Sequence, residues 1–213
     1  MQNILFLHGW GGDENSFANI LLYFKRKYNC ICVSMPRETD EPWVLEDYAK
    51  LVFAELDRQE IERTHIIAHS FGARVAALLV NMQPERFGKL VLTGPAGVKP
   101  RFNLLRWFKI RLHKAKIIKS KGSADYRVLS HSGKMTFQNI IKRDLAPEIS
   151  GIMHPTLIIW GKKDKSVKKY MVKRWTKLNA YTTMKIYKNA GHFCFLDEPA
   201  KFIMDAEEYI NNV

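Results

Sequence analysis

The chain reads as an α/β protein built on a mostly parallel sheet of about six strands, with helices on both faces. Three observations predict this. Short apolar runs alternate with longer segments of helical spacing along most of the 213 residues. The runs are close to continuously apolar, as strands buried on both faces must be. Small-residue or glycine-bearing turns follow several of them, where such sheets present their loops.

In order, residues 3–7 (NILFL) predict a buried strand and residues 16–28 a helix capped by Asn15 or Ser16. Residues 29–35 predict a second strand. In residues 43–59, Val44, Tyr48, Leu51, Val52 and Leu56 mark an apolar helical face. A strand at 64–68 (THIIA), a small-residue helix at 71–82 and a strand at 89–93 (KLVLT) follow. The alternation resumes with a strand at 155–160 (PTLIIW), a helix at 167–178, a strand at 183–187 and a helix at 200–211. Between these halves, residues 98–151 break the pattern. They hold a basic, aromatic run (102–119), a Gly122-Ser123 break and a helix-like piece near 135–143. Residues 1–97 and 152–213 are therefore expected to form the core, with 98–151 a small helical cap inserted over the sheet edge.

Composition limits the function classes. The apolar fraction of 46% suits one globular domain. No apolar run approaches the ~20 residues needed to cross a bilayer. The first residues carry neither a basic leader nor a small-residue cleavage site, so no signal peptide is expected. Cys30, Cys32 and Cys194 are too few and too odd in number for a disulfide framework, and all three are expected to be buried thiols in a cytoplasmic protein. The net charge of +13 is concentrated: Lys99 to Glu148 hold thirteen Lys or Arg against three acids.

The strongest local pattern is Ala68-His69-Ser70-Phe71-Gly72, directly after a strand and directly before a helix. A sharp strand–turn–helix elbow tolerates only small residues two before and two after its central residue, and Ala68 and Gly72 comply. The elbow would lift Ser70 Oγ to the positive end of the next helix. Taken alone it is also consistent with an ordinary turn. His8-Gly9-Trp10-Gly11-Gly12 follows the first strand, where glycines can aim backbone N–H groups at an oxyanion. It lacks the lysine and Ser/Thr of a phosphate loop, so no nucleotide is expected. Asp164 (in WGKKD) and His192 (in NAGHF) each follow a predicted strand. All carboxyl ends of a parallel sheet lie on one edge, so Ser70, Asp164 and His192 can converge. His69, adjacent to Ser70 on an extended segment, points to the other side and is not expected to serve as the base. No spacing suggests metal ligands, and neither metal nor cofactor is expected.

With these motifs in place, the chain resembles the α/β-hydrolase superfamily outside residues 98–151. HGWGG resembles its oxyanion loop, AHSFG its nucleophile elbow, WGKKD its acid turn and NAGHFCFLDEP its histidine loop. The resemblance implies Ser70 as nucleophile, His192 as general base and then acid, and Asp164 as the group that orients it. The N–H groups of Trp10 and Phe71 would form the oxyanion hole, supported by His8, Gly9, Ala68 and Gly72. Two departures stand out: Ala68 replaces the usual first glycine, and one or two leading strands of many relatives are missing, which puts residues 3–7 nearer a sheet edge. The expected activity is cleavage of a carboxylic ester or related acyl bond. Carbon–carbon bond hydrolysis, lactone opening, a carrier-linked methyl ester and a non-enzymatic binding protein remain alternatives. In the insertion, Phe102, Leu105, Phe108 or Lys109, Leu112 and Ala115 mark an apolar face and Arg101, Arg106, Arg111, Lys114 and Lys119 a basic one. The basic face is either solvated or suited to an acidic carrier protein, a CoA-linked acyl group or an anionic membrane surface; nucleic acid is not expected.

Overall fold

The computed structural model describes residues 1–99 and 124–212. Six strands form one sheet: β1 Asn3–Leu7, β2 Asn29–Val33, β3 Thr64–His69, β4 Phe87–Thr93, β5 Thr156–Gly161 and β6 Thr182–Tyr187. Their order is β2-β1-β3-β4-β5-β6, and every pairing is parallel. The doubly wound order starts at β1 and moves outward both ways, so β1, β3 and β4 occupy the middle. The first strand therefore lies one place in from the edge strand β2.

Side chains alternate between two helical layers. Leu5 and Leu7 of β1 join the cluster formed with α2 (Leu45–Arg58) and α3 (Phe71–Met82). Ile4 and Phe6 join the opposite cluster, built on α1 (Ala18–Phe24). Residues 98–151 contribute three helices among the described residues: α4 Ala124–Arg127, α5 His131–Lys142 and α6 Ala146–Gly151. The second half adds α7 Lys169–Leu178, α8 Cys194–Asp197 and α9 Pro199–Asn211. Val172 and Trp175 of α7 pack with α2 and α3, whereas Phe202, Ala206 and Ile210 of α9 pack with α1. The basic run at 102–119 and the Gly122-Ser123 break lie outside the described residues.

Two expectations need correction. The first helix is not a single helix over 16–28, because Asp13 caps a 3₁₀ turn at Glu14–Phe17 before α1 begins. Asp13 accepts from the Asn15 N–H and Ser16 Oγ accepts from the Asp13 N–H, a reciprocal box one turn ahead of the expected cap. Cys30 and Cys32 are half-buried, not buried, because they lie on the edge strand; Cys194 is buried as expected. The described part of residues 98–151 is joined to the sheet layers by Ile140, Leu145 and Ile149 in the core and by Arg74 of α3, a buried guanidinium that donates to the carbonyls of Ile140 and Arg143. Trp43 donates its N–H to Thr136 Oγ1 at 2.8 Å, and Glu38 accepts from Ser130, which ties α5 to the loop after β2.

The loops leaving β5 and β6 are locked backbone to backbone. Lys162 donates to the Tyr187 carbonyl and Lys163 to that of Ala190. Gly161 sits so close beneath them that a Cβ there would lie 2.1 Å from the Gly191 carbonyl oxygen. A Cβ on Gly191 would meet nothing nearer than Asp197 Oδ2 at 3.5 Å. Gly161→Ala should therefore cost about 2–3 kcal/mol in urea unfolding and Gly191→Ala well under 1 kcal/mol. Equal midpoints for the two variants would contradict this packing.

Candidate active site

Ser70 occupies the turn between β3 and α3 with φ +47° and ψ −102°, a backbone conformation that L-residues other than glycine rarely adopt. The surroundings hold it there. The Ser70 N–H donates to the Thr93 carbonyl at 3.0 Å, and its own carbonyl accepts from the Ala96 N–H at 3.2 Å. The small-residue rule has a direct cause: a Cβ on Gly72 would lie 2.1 Å from the Leu7 carbonyl oxygen. Ala68 is fully buried in β3, flanked in register by Leu7 and Leu92.

The loop after β1 turns tightly beside this elbow. Gly12 donates to the Gly9 carbonyl at 3.0 Å across a turn whose third residue, Gly11, has φ +77°. That is a type II turn, which needs glycine at this position and leaves the Trp10 N–H out of its hydrogen bond. The Phe71 N–H begins α3, where first-turn N–H groups have no intrahelical acceptor. The rings of Trp10 and Phe71 meet edge-on with centroids 5.5 Å apart, so the two candidate oxyanion donors belong to one packed unit. His8 braces the loop: its Nδ1 donates to the Gly9 carbonyl and its Nε2 accepts from the Met35 N–H, each at 2.8 Å. Burial holds its pKa below the ordinary histidine value, which suits this neutral tautomer.

Asp164 and His192 are brought into direct contact. His192 Nδ1 lies 2.8 Å from Asp164 Oδ2, and the Asp164 side chain is wholly buried. Its other oxygen accepts from the N–H groups of Ser166 and Val167 at 2.7 and 2.9 Å. Burial pushes this carboxyl up, but the His192 bond and the two backbone donors outweigh it and bring the pKa below the usual value. A carboxylate can only accept, so the shared proton resides on His192 Nδ1 and leaves Nε2 with its lone pair. Among the described residues Ser70 Oγ makes no hydrogen bond, to His192 or to any other group. Contacts of this kind often close only when substrate binds. Ser70 lies beside the loop after β1: a Cβ on Gly9 would touch Ser70 Cβ at 3.7 Å and the His69 ring at 2.8 Å.

Two contributors escape a reading by motif. His69 does not serve as a second base, yet it is far from idle: its ring lies 4.6 Å from that of His192 and 4.8 Å from Phe193. It is buried, with Nδ1 3.1 Å from the Thr93 carbonyl. Gly94, with φ +51°, passes between the elbow and the Asp164–His192 pair; a Cβ there would lie 3.0 Å from His192 Nδ1. Its one sequence signal is a glycine directly after the strand KLVLT. Cys194 is buried and its thiol is pushed up to about 11 by that burial, which leaves it protonated and unreactive. Among the described residues no three His, Cys, Asp or Glu side chains cluster as metal ligands would, and no helix is long and apolar enough to cross a membrane.

A family model described as the alpha/beta hydrolase family matches residues 4–206. Among curated proteins, the uncharacterized hydrolase YugF of Bacillus subtilis is 23% identical over 210 residues, covering 81% of this chain and 77% of its own length. The 2-hydroxy-6-oxononadienedioate/2-hydroxy-6-oxononatrienedioate hydrolase of Paraburkholderia xenovorans is 26% identical over 178 residues, 69% of this chain and 62% of that protein. Among solved structures, a membrane phospholipase A described as a bacterial virulence factor superposes with a TM-score of 0.80 at 19% identity. That match covers 99% of this chain and 78% of the other, and shows a shared fold.

His69 gives a test of the site's electrostatics. Burial drives its pKa from 6.5 to about 3. The unfolded chain therefore binds the proton first, so stability is full above about pH 6.5 and falls as pH drops toward about 3. His69→Asn keeps a donor to the Thr93 carbonyl without the titration. Its thermal midpoint should fall less steeply than the wild type's between about pH 7 and about pH 4. Parallel profiles would show that His69 is not the buried neutral group described.

Proposed function

Because the chain belongs to the α/β-hydrolase family, we propose that it is a serine hydrolase that cleaves a carboxylic ester or related acyl bond through an acyl-enzyme. The observation that carries this reading is the strained Ser70 elbow on the same sheet edge as a buried Asp164 bound to His192.

In this reading Ser70 Oγ attacks the substrate carbonyl carbon while His192 Nε2 takes the hydroxyl proton. The carbonyl oxygen becomes an oxyanion that the Trp10 and Phe71 N–H groups receive. Collapse of the tetrahedral adduct breaks the bond to the leaving alcohol, which takes the proton from His192. Water then attacks the acyl carbon, again losing its proton to His192, and the acid departs as Ser70 regains its hydrogen. Asp164 stabilises the imidazolium formed twice in this cycle and holds Nε2 toward the nucleophile. A second reading, hydrolysis of a carbon–carbon bond, draws on the similarity to the Paraburkholderia hydrolase. It uses the same three side chains and differs in the bond that breaks.

A fluorophosphonate probe should label the wild type at Ser70 and leave Ser70→Ala unlabelled. p-Nitrophenyl acetate, butyrate and octanoate should be hydrolysed with the same dependence on Ser70. Asp164→Asn should lower kcat by about 10⁴-fold, the scale seen when a triad histidine loses its orienting carboxylate. Labelling without ester turnover would favour the carbon–carbon reading. Well-folded protein with neither would overturn the hydrolase assignment.

A further inference from the structure

Ten bases and a single acid lie between Lys162 and Lys188, and that acid is Asp164, already engaged by His192. Nine of the ten bases are lysines. The two loops that carry the densest part, after β5 and after β6, are fastened together by the backbone bonds from Lys162 and Lys163. Lys162, Lys163, Lys165 and Lys188 are all exposed on this flank of the sheet's carboxyl edge. Among the described residues no carboxylate lies within ion-pair distance of any of the four.

The field continues into a cavity of about 560 Å³ lined by Lys162, Lys168, Lys169 and Lys188, by Trp160 and Ile186, and by Asp164, whose carboxylate is already bonded to His192. Lys168 and Lys169 sit at the start of α7 with no acid in its first turn, so these cations oppose the helix dipole instead of complementing it. Such an arrangement is unfavourable in the isolated protein and is relieved by an external anion.

Apolar side chains emerge beside these charges. Phe193 and Leu196 are 47% and 49% exposed. Phe193 ends the loop that bears His192 and Leu196 lies in α8 directly after it, and the Phe193 ring packs 5.3 Å from the His192 ring. The opposite flank of the same edge is acidic, with Asp13 and Glu14 after β1 and Glu38, Asp40 and Glu41 after β2. Among the described residues the edge is thus polarised, and its β5–β6 end is cationic and apolar together.

We propose that this flank docks the protein on an anionic lipid surface. Lysine ammonium groups are point charges without the fixed fork of arginine, so a lysine field fits a fluid layer of headgroups better than a defined carboxylate or phosphate on a folded partner. Exposed Phe193 and Leu196 amid those lysines add the apolar insertion that an acidic protein or a nucleic acid would not use. Docking in this way sets the His192 loop against the headgroup layer, so the acyl bond presented to it belongs to an amphipathic lipid. The docking itself does not rest on the proposed catalysis, and Ser70→Ala separates the two.

The test is sedimentation with vesicles of phosphatidylcholine and phosphatidylglycerol in equal parts, beside pure phosphatidylcholine, at low and high salt. Wild type and Ser70→Ala should both partition to the anionic vesicles and be released by salt. Each lysine near such a surface contributes about five-fold in partitioning, so Lys162→Glu/Lys163→Glu/Lys165→Glu/Lys188→Glu should weaken binding by at least about 100-fold, with its fold checked by circular dichroism. Leu196→Ser should weaken binding at both salt concentrations. Equal sedimentation on both vesicle types, full binding by the charge-reversed protein, or capture by heparin with none by vesicles would each overturn the proposal.

Discussion

The site depends on one close approach between backbones. The N-terminus of α3 meets the end of β1 so tightly that Gly72 leaves no room for a side chain above the Leu7 carbonyl. That contact fixes where α3 must begin, and with β3 paired in register to β1 the chain has a single residue in which to turn from strand to helix. Ser70 is that residue, and its positive φ is the consequence. The strain, of order 1–3 kcal/mol for such a residue, is held by the large core on either side of the sheet and by the bonds from Ser70 to Thr93 and Ala96. The same geometry brings Phe71 against Trp10, so the elbow and the loop after β1 cannot move independently.

A second contact of the same kind positions the other half of the site. Gly161 lies under the Gly191 carbonyl, which aligns the loop of Asp164 with that of His192. A buried carboxylate is stable only when its oxygens are satisfied. Here two backbone N–H groups and an imidazole supply that, and the Asp164 pKa stays low despite the burial. His69 completes the arrangement from below. It is neutral, bonded to Thr93 and packed at a tilt against His192, so it supports the imidazole without competing for its proton.

Six strands, their parallel pairing and the elbow were legible in the chain because each rests on local signals: apolar runs of strand length, small residues at fixed offsets, and an acid and a histidine just past strands. The edge position of the cysteines was not legible, because strand order is set by long-range packing and burial on an edge strand is only partial. The shift of the first helix cap to Asp13 was missed because Asp13, Asn15 and Ser16 are all good caps and only the reciprocal bond between Asp13 and Ser16 selects one. The part played by His69 was half visible. Alternation along the strand turned it away from Ser70, but its contact with His192 arises from a loop well over a hundred residues later.

The distribution of charge follows the topology more closely than the composition suggests. Residues 1–98 hold ten bases against twelve acids, so the half of the sheet that bears Ser70 is close to neutral. The half that bears Asp164 and His192 carries five of its ten lysines, Lys162, Lys163, Lys165, Lys168 and Lys188, on the two loops after β5 and β6. Because the sheet is parallel, those loops share one edge with the elbow. The exposed lysines lie in high dielectric and are screened by salt beyond about 10 Å. The field therefore acts on what approaches the edge and leaves the buried Asp164–His192 pair governed by its own hydrogen bonds. The exposed lysines and the bonded Asp164–His192 pair are thus different residues of the same two loops.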